Sequence, residues 1–141
     1  MDLVAYPDSD LGNSHSRKST TGGIAGLYGP IIATQSKTQG TISLSSGESE
    51  FNALVLNSQT ILHIREVFSE TGYQVKSHMV LTDSSVAIQI VFQNSNSRSK
   101  SIDRKMSWIK NEVKEQKSLI HRHVGGTAWP IYLKNMFHLL R

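Results

Sequence analysis

The sequence contains no cysteine, so neither a disulfide framework nor a thiolate metal site is open to it. Metal chemistry here has to use oxygen or imidazole donors, which favours hard ions such as magnesium or manganese. No apolar run approaches the length that spans a membrane, and no signal-peptide pattern opens the chain. The expectation is therefore an intracellular protein of the cytoplasm or nucleus, not a secreted one. Internal repeats are absent, and no acidic residue occurs after Glu115. What is present is 141 residues with 38% hydrophobic and 18% charged content, the make-up of one soluble globular domain, expected as a monomer. A net charge of +4 fits a polyanionic partner without requiring one.

The most informative stretch is SLSSGESEF, Ser43 to Phe51. Ser45 and Glu48 have the Ser-x-x-Glu spacing of a capping box, which marks a helix start. Behind them Phe51, Leu54, Val55, Ser58 and Leu62 recur at helical spacing, so one face of that helix is buried. Glu50 stands on the edge of this face, where its carboxylate points along the packing surface. It can serve a metal or a proton if other carboxylates meet it.

In chain order, Leu3 to Tyr6 reads as a strand stopping at Pro7, with Asp8 and Asp10 projecting to one face just beyond. Gly12 to Gly23 reads as a polar turn region carrying His15, Arg17 and Lys18. Strands at 23–28 and 31–36 follow, joined at Gly29-Pro30, which predicts a three-stranded antiparallel meander. A long helix is expected from Ser46 to Thr71 with Gly72 as its stop. Ser77 to Thr82 forms a fourth strand that delivers Asp83 at its tip, and a helix over 84–93 follows, capped by Ser84 or Asp83. A strand between two helices argues for a parallel crossover, whose strand ends are the usual place for a site. After a polar linker at 94–100, Ile102, Met106, Ile109 and Val113 define an amphipathic helix whose other face carries Arg104, Lys105, Lys110, Lys114 and Lys117. A fifth strand at 118–124 ends at Gly125-Gly126, and Trp129 to Leu140 reads as a closing helix.

Asp8, Glu50 and Asp83 thus lie on three adjoining elements and can converge on one edge of a mixed sheet. Like charges packed closely repel, and a divalent cation is the usual remedy. Such clusters hold magnesium ions that activate water in phosphodiester cleavage. Taken singly, each acid is more often a cap or a solvated loop residue.

The order of YPDSD at 6–10, RKSTTGG at 17–23, ISLSSGESEFNAL at 42–54, LTDSSVAI at 81–88 and KSIDRKMSWIKNEV at 100–113 resembles the ribonuclease H domain of copia-type retrotransposon polyproteins. The resemblance covers nearly the whole chain. It implies an α/β ribonuclease H-like fold, a five-stranded mixed sheet with its first three strands antiparallel and helices on its faces. It also implies hydrolysis of the RNA strand of RNA–DNA hybrids with two divalent ions, Mg2+ or Mn2+. Asp8 then matches the first-strand aspartate that bridges both ions, Glu50 the helix glutamate, and Asp83 the aspartate at the tip of strand four. Residues 1–141 would be one domain, a fragment of a longer polyprotein beside its reverse transcriptase.

The family's fourth carboxylate falls in TAWPIYLKN at 127–135, where Pro130 or Tyr132 stands instead. Leu11 stands where the family has Trp, and Ser101 where it has His. These departures imply reduced or absent cleavage in a decaying copy, since half of a two-ion clamp would lose a direct ligand. The alternative is a catalytically inactive module that binds nucleic acid or braces the reverse transcriptase.

Other residues read more plainly. Asp10 suits a turn at least as well as a supporting place at the site, Glu48 a cap, and Asp103 the first turn of its helix, where a carboxylate favours the dipole, over a replacement metal ligand. His121 and His123 share a strand face without a third ligand, and one of them could stand where ribonucleases H place a product-release histidine. Met106, Trp108 and Trp129 suit packing. Arg17, Lys18, Arg104 and Lys105 are candidates for contacts to phosphates of a hybrid, as against a merely solvated face.

Overall fold

A strand that starts at the second residue becomes the middle of the sheet. The computed structural model describes residues 2–12, 17–27, 30–92, 100–115 and 119–122. Strands β1 (Asp2–Asp10), β2 (Thr20–Leu27) and β3 (Ile31–Thr38) lead into helix α1 (Ser46–Glu70). Then come β4 (Ser77–Thr82), α2 (Ser85–Phe92), α3 (Lys100–Lys114) and β5 (Leu119–Arg122). One sheet holds all five strands in the order β3-β2-β1-β4-β5. The β1–β2 and β2–β3 pairs are antiparallel, and the β1–β4 and β4–β5 pairs are parallel. This is the mixed sheet with an antiparallel first half that the sequence implies.

Several boundaries differ from the sequence reading, two of them by three residues or more. β1 runs through Pro7 to Asp10, so Asp8 lies inside a strand and opposite Gly22. Proline is tolerated there because the described β4 ladder ends at Ala5 and Val80, leaving one side of β1 without a bond for the missing N–H to break. β2 begins at Thr20, inside the stretch read as a turn, because Thr20 to Gly23 pair with β1 on one side and β3 on the other. The expected closing helix, with Trp129, Pro130 and Tyr132, lies outside the described residues, as do His15, His123 and Lys117.

The core forms where Leu3 and Ala5 of β1, Ala25 of β2 and Val80 of β4 meet Phe51, Leu54, Val55 and Ile61 of α1. Ala87 and Val91 of α2 and Met106 and Ile109 of α3 close it. On α1 Ile61 is the fully buried residue of its turn, while Leu62 is half-buried. Helix α1 starts as its cap predicts: Ser45 Oγ accepts from the Glu48 amide at 3.1 Å. Glu48 Oε2 accepts in return from the Leu44 amide at 2.9 Å, one residue earlier than the usual box. It stops at Gly72, whose φ of +85° is the left-handed conformation that glycine adopts without strain.

Polar side chains as well as apolar ones seat α1 on the sheet. Asn57 Nδ2 donates to the Gly22 carbonyl at 3.0 Å, and Gln35 Nε2 donates to Asn57 Oδ1 at 2.8 Å. A Cβ at Gly23 would collide with the Asn57 side chain, so the second glycine of RKSTTGG makes room for that bond. Gln39 Nε2 donates to Thr21 Oγ1 at 2.9 Å and to the Ser49 carbonyl at 3.0 Å, which ties the first turn of α1 to β2.

Candidate active site

Each of the three acids is placed by its own element. The parallel register sets Ala5 against Val80, and carried three residues further it sets Asp8 level with Asp83. Asp83 follows directly on β4. Ser84 N then donates to Thr82 Oγ1 at 3.2 Å, and Ser84 Oγ caps α2 by accepting from the Ala87 amide at 3.0 Å. Ser84 is therefore the cap, not Asp83. Glu50 stands on α1 one turn after Gly47, where a Cβ would press into Val86 of α2. That close approach brings the first turns of α1 and α2 together at the C-terminal end of β4.

The elements that carry the three acids adjoin one another, but the side chains are not drawn into a ligand shell. Among the described residues, no three Asp, Glu or His side chains group closely enough to hold a metal ion. Asp8 is exposed, and its Oδ1 accepts from the Ser9 amide at 2.8 Å. Asp83 is exposed and Glu50 half-buried, as its place on the edge of the apolar face predicts. Three carboxylates on separate rigid elements are, as a donor set, suited to a hard dication.

The basic candidates divide in two. Arg17 is exposed and holds a positive φ of 53°, packed so that a Cβ at Gly12 would lie 2.7 Å from its carbonyl carbon. Lys18 beside it is half-buried, and Arg104 is exposed on α3. Lys105 is half-buried, and its Nζ donates to Asn52 Oδ1 at 2.7 Å, so it links α3 to α1. Glu48 is a cap, Asp103 lies exposed in the first turn of α3, and His121 is exposed on β5. Met106 is buried, and Trp108 packs half-buried against the core.

Sequence reasoning missed the polar cluster beside the start of α1. Ser43 Oγ donates to Gln39 Oε1 at 2.6 Å, and Asn52 Nδ2 donates to the same oxygen at 3.3 Å. All three residues are buried. The available signal was Asn52 and Asn57, two amides lying within the run of buried residues on α1.

No protein-family profile matches the chain. Over 117 residues, or 81% of its length, it is 32% identical to the retrovirus-related Pol polyprotein from transposon TNT 1-94 of Nicotiana tabacum. The chain spans 9% of that polyprotein. Its structure superposes on the protease–reverse transcriptase of prototype foamy virus with a TM-score of 0.61 and 15% identity, covering 86% of this chain and 17% of that one. It also superposes on the LC11 ribonuclease H1, solved in complex with an RNA/DNA hybrid, with a TM-score of 0.58 and 12% identity over 86% and 84% of the two chains. The chain is a ribonuclease H-like domain of the retroelement polyprotein kind.

Proposed function

We propose that this ribonuclease H-like domain derives from a copia-type element. Its site is built for metal-dependent hydrolysis of the RNA strand of RNA–DNA hybrids, and that activity is weakened or lost. What supports this reading is that β1, which carries Asp8, pairs in parallel with β4, which leads into Asp83, and that α1, which carries Glu50, approaches α2 closely at Gly47 and Val86. Asp8, Glu50 and Asp83 would hold Mg2+ or Mn2+. Bound there, divalent ions supply an activated water and neutralise charge on the phosphodiester. The chain's own part would be to present Asp8 from β1, Asp83 from the residue after β4 and Glu50 from near the start of α1. Arg17, Lys18 and Arg104 would contact strand phosphates, giving salt-dependent and sequence-independent affinity. The partner would be the reverse transcriptase of the same intracellular polyprotein.

The loss follows from the sequence, which has no acid after Glu115 and Pro130 or Tyr132 where the fourth ligand belongs. The same observation favours a second reading, an inactive module that still binds hybrid. Magnesium titration and hybrid cleavage, measured side by side, separate the two. Asp83→Asn is expected to abolish cation binding, and Pro130→Asp or Tyr132→Asp to raise cleavage above that of the unaltered chain. Cation affinity unchanged by Asp83→Asn would sink the carboxylate site. Full cleavage by the unaltered chain would sink the loss, and tight salt-sensitive hybrid binding without turnover in any variant would favour the inactive module.

A further inference from the structure

Helices α1 and α3 leave a groove of about 390 Å³ between them, in the half of α1 away from Glu50. Glu66, which lines it, lies about 24 Å along the helix axis from Glu50, at about 1.5 Å per residue. Leu62 and Trp108, both half-buried, supply its apolar surface, and Trp108 also packs against the core. Glu66 of α1 and Glu112 of α3 bring two carboxylates to it, with His63 and Arg65 beside them.

Two observations set this groove apart from a solvated helix face. Glu112 is half-buried, yet among the described residues neither it nor Glu66 takes a hydrogen bond or an ion pair. Arg65, the cation in the lining, lies near enough to His78 of β4 to disfavour a proton there. Two unpaired negative charges thus stand against one positive. The second observation is the indole of Trp108 in the same space, since a partly dry indole attracts a cation to its face. A metal does not account for the acids: among the described residues, no three Asp, Glu or His side chains group closely enough to hold one. Phosphates would be repelled by the same carboxylates, unlike at the basic face of α3.

We propose that this groove docks an arginine side chain of a partner protein. Two carboxylates facing one partly dry space repel, and a guanidinium between them removes that repulsion while donating charge-assisted hydrogen bonds to both. Its planar, weakly hydrated cation also stacks on an indole, which a compact ammonium does less well. An aliphatic residue next to that arginine would cover Leu62. The partner segment is therefore basic and apolar together. The docking does not depend on whether Asp8, Glu50 and Asp83 hold a metal.

The test is a titration of the amide-labelled chain with a capped arginine-leucine-arginine peptide, against the lysine-leucine-lysine peptide at matched ionic strength. Saturable shifts are expected at the Trp108 indole N–H and at the amides of Leu62, His63, Glu66 and Glu112. The arginine peptide is expected to bind about threefold more tightly than the lysine one, from its stacking on the indole. Glu112→Gln is expected to weaken it about tenfold, the value of one lost charge-assisted hydrogen bond. Because Glu66 is exposed, Glu66→Lys serves as a second variant that keeps the fold, and it is expected to abolish saturation. Shifts that grow linearly, persist in Glu66→Lys, or show equal affinity for the two peptides overturn the docking site. A short RNA–DNA hybrid is expected to leave the same resonances still. If the hybrid moves them and the arginine peptide does not, the groove belongs to a nucleic-acid face and the proposal falls.

Discussion

Gly47 is one methyl group away from a collision. A side chain there would press into Val86, and the neighbouring turn of α1 carries Glu50. Overpacking of this kind costs about 1–3 kcal/mol. Gly47→Ala is therefore expected to lower the urea midpoint, and Val86→Ala in the same chain to restore part of the loss. A coupling energy of at least about 0.5 kcal/mol in the double-mutant cycle is expected for side chains in contact. Strictly additive effects would mean that the first turns of α1 and α2 do not press on one another. Phe51 sits at the other extreme, fully buried beneath the same turn. Phe51→Ala is expected to cost about 3–5 kcal/mol, and a loss under 1 kcal/mol, read from the same urea curves, would contradict its place in the core.

Among the elements, α1 is the one whose limits could be read most closely in advance. Ser45, Glu48 and Gly72 are local signals that act within a few residues, and each acts in the folded chain as its chemistry predicts. Ser45→Ala is expected to cost about 1 kcal/mol, measured as a fall in thermal midpoint, because the Glu48 amide loses its acceptor. Strands β3 and β4 were legible from the turn residues around them, whereas β2 begins three residues earlier than read. Pro7 was misleading because its tolerance depends on where a strand some seventy residues later stops pairing with β1. The cluster of Gln39, Ser43 and Asn52 was hidden because a buried amide is satisfied only by partners that the sheet order supplies. The family resemblance singled out the three acids as a set, whereas the close approach of α1 and α2 at Gly47 and Val86 had no local signal.

For the molecule as a whole, one buried titratable group couples stability to pH. His78 lies on β4 at 6% exposure. Burial lowers its pKa below the usual 6.5, and the Arg65 guanidinium lowers it further. The folded state therefore resists a proton that the unfolded chain accepts near pH 6.5. The contribution of His78 is whole above that value and is lost as pH falls from about 6.5 towards the lowered folded pKa. The urea midpoint is expected to fall between about pH 7.5 and pH 5.5, with a shallower fall in His78→Gln. Equal slopes in the two proteins would show that His78 carries no such coupling.

The order of the strands also dictates a timetable. Of the five strands β1 is synthesised first and lies at the centre of the sheet, yet one of its two neighbours is made only after α1 is complete. A nascent chain can assemble β1, β2 and β3 as soon as they emerge, since these contacts are close in sequence. The other edge of β1 stays open until β4 arrives. During that interval the growing polypeptide presents one unpaired edge of β1, and any neighbouring extended segment can compete for it.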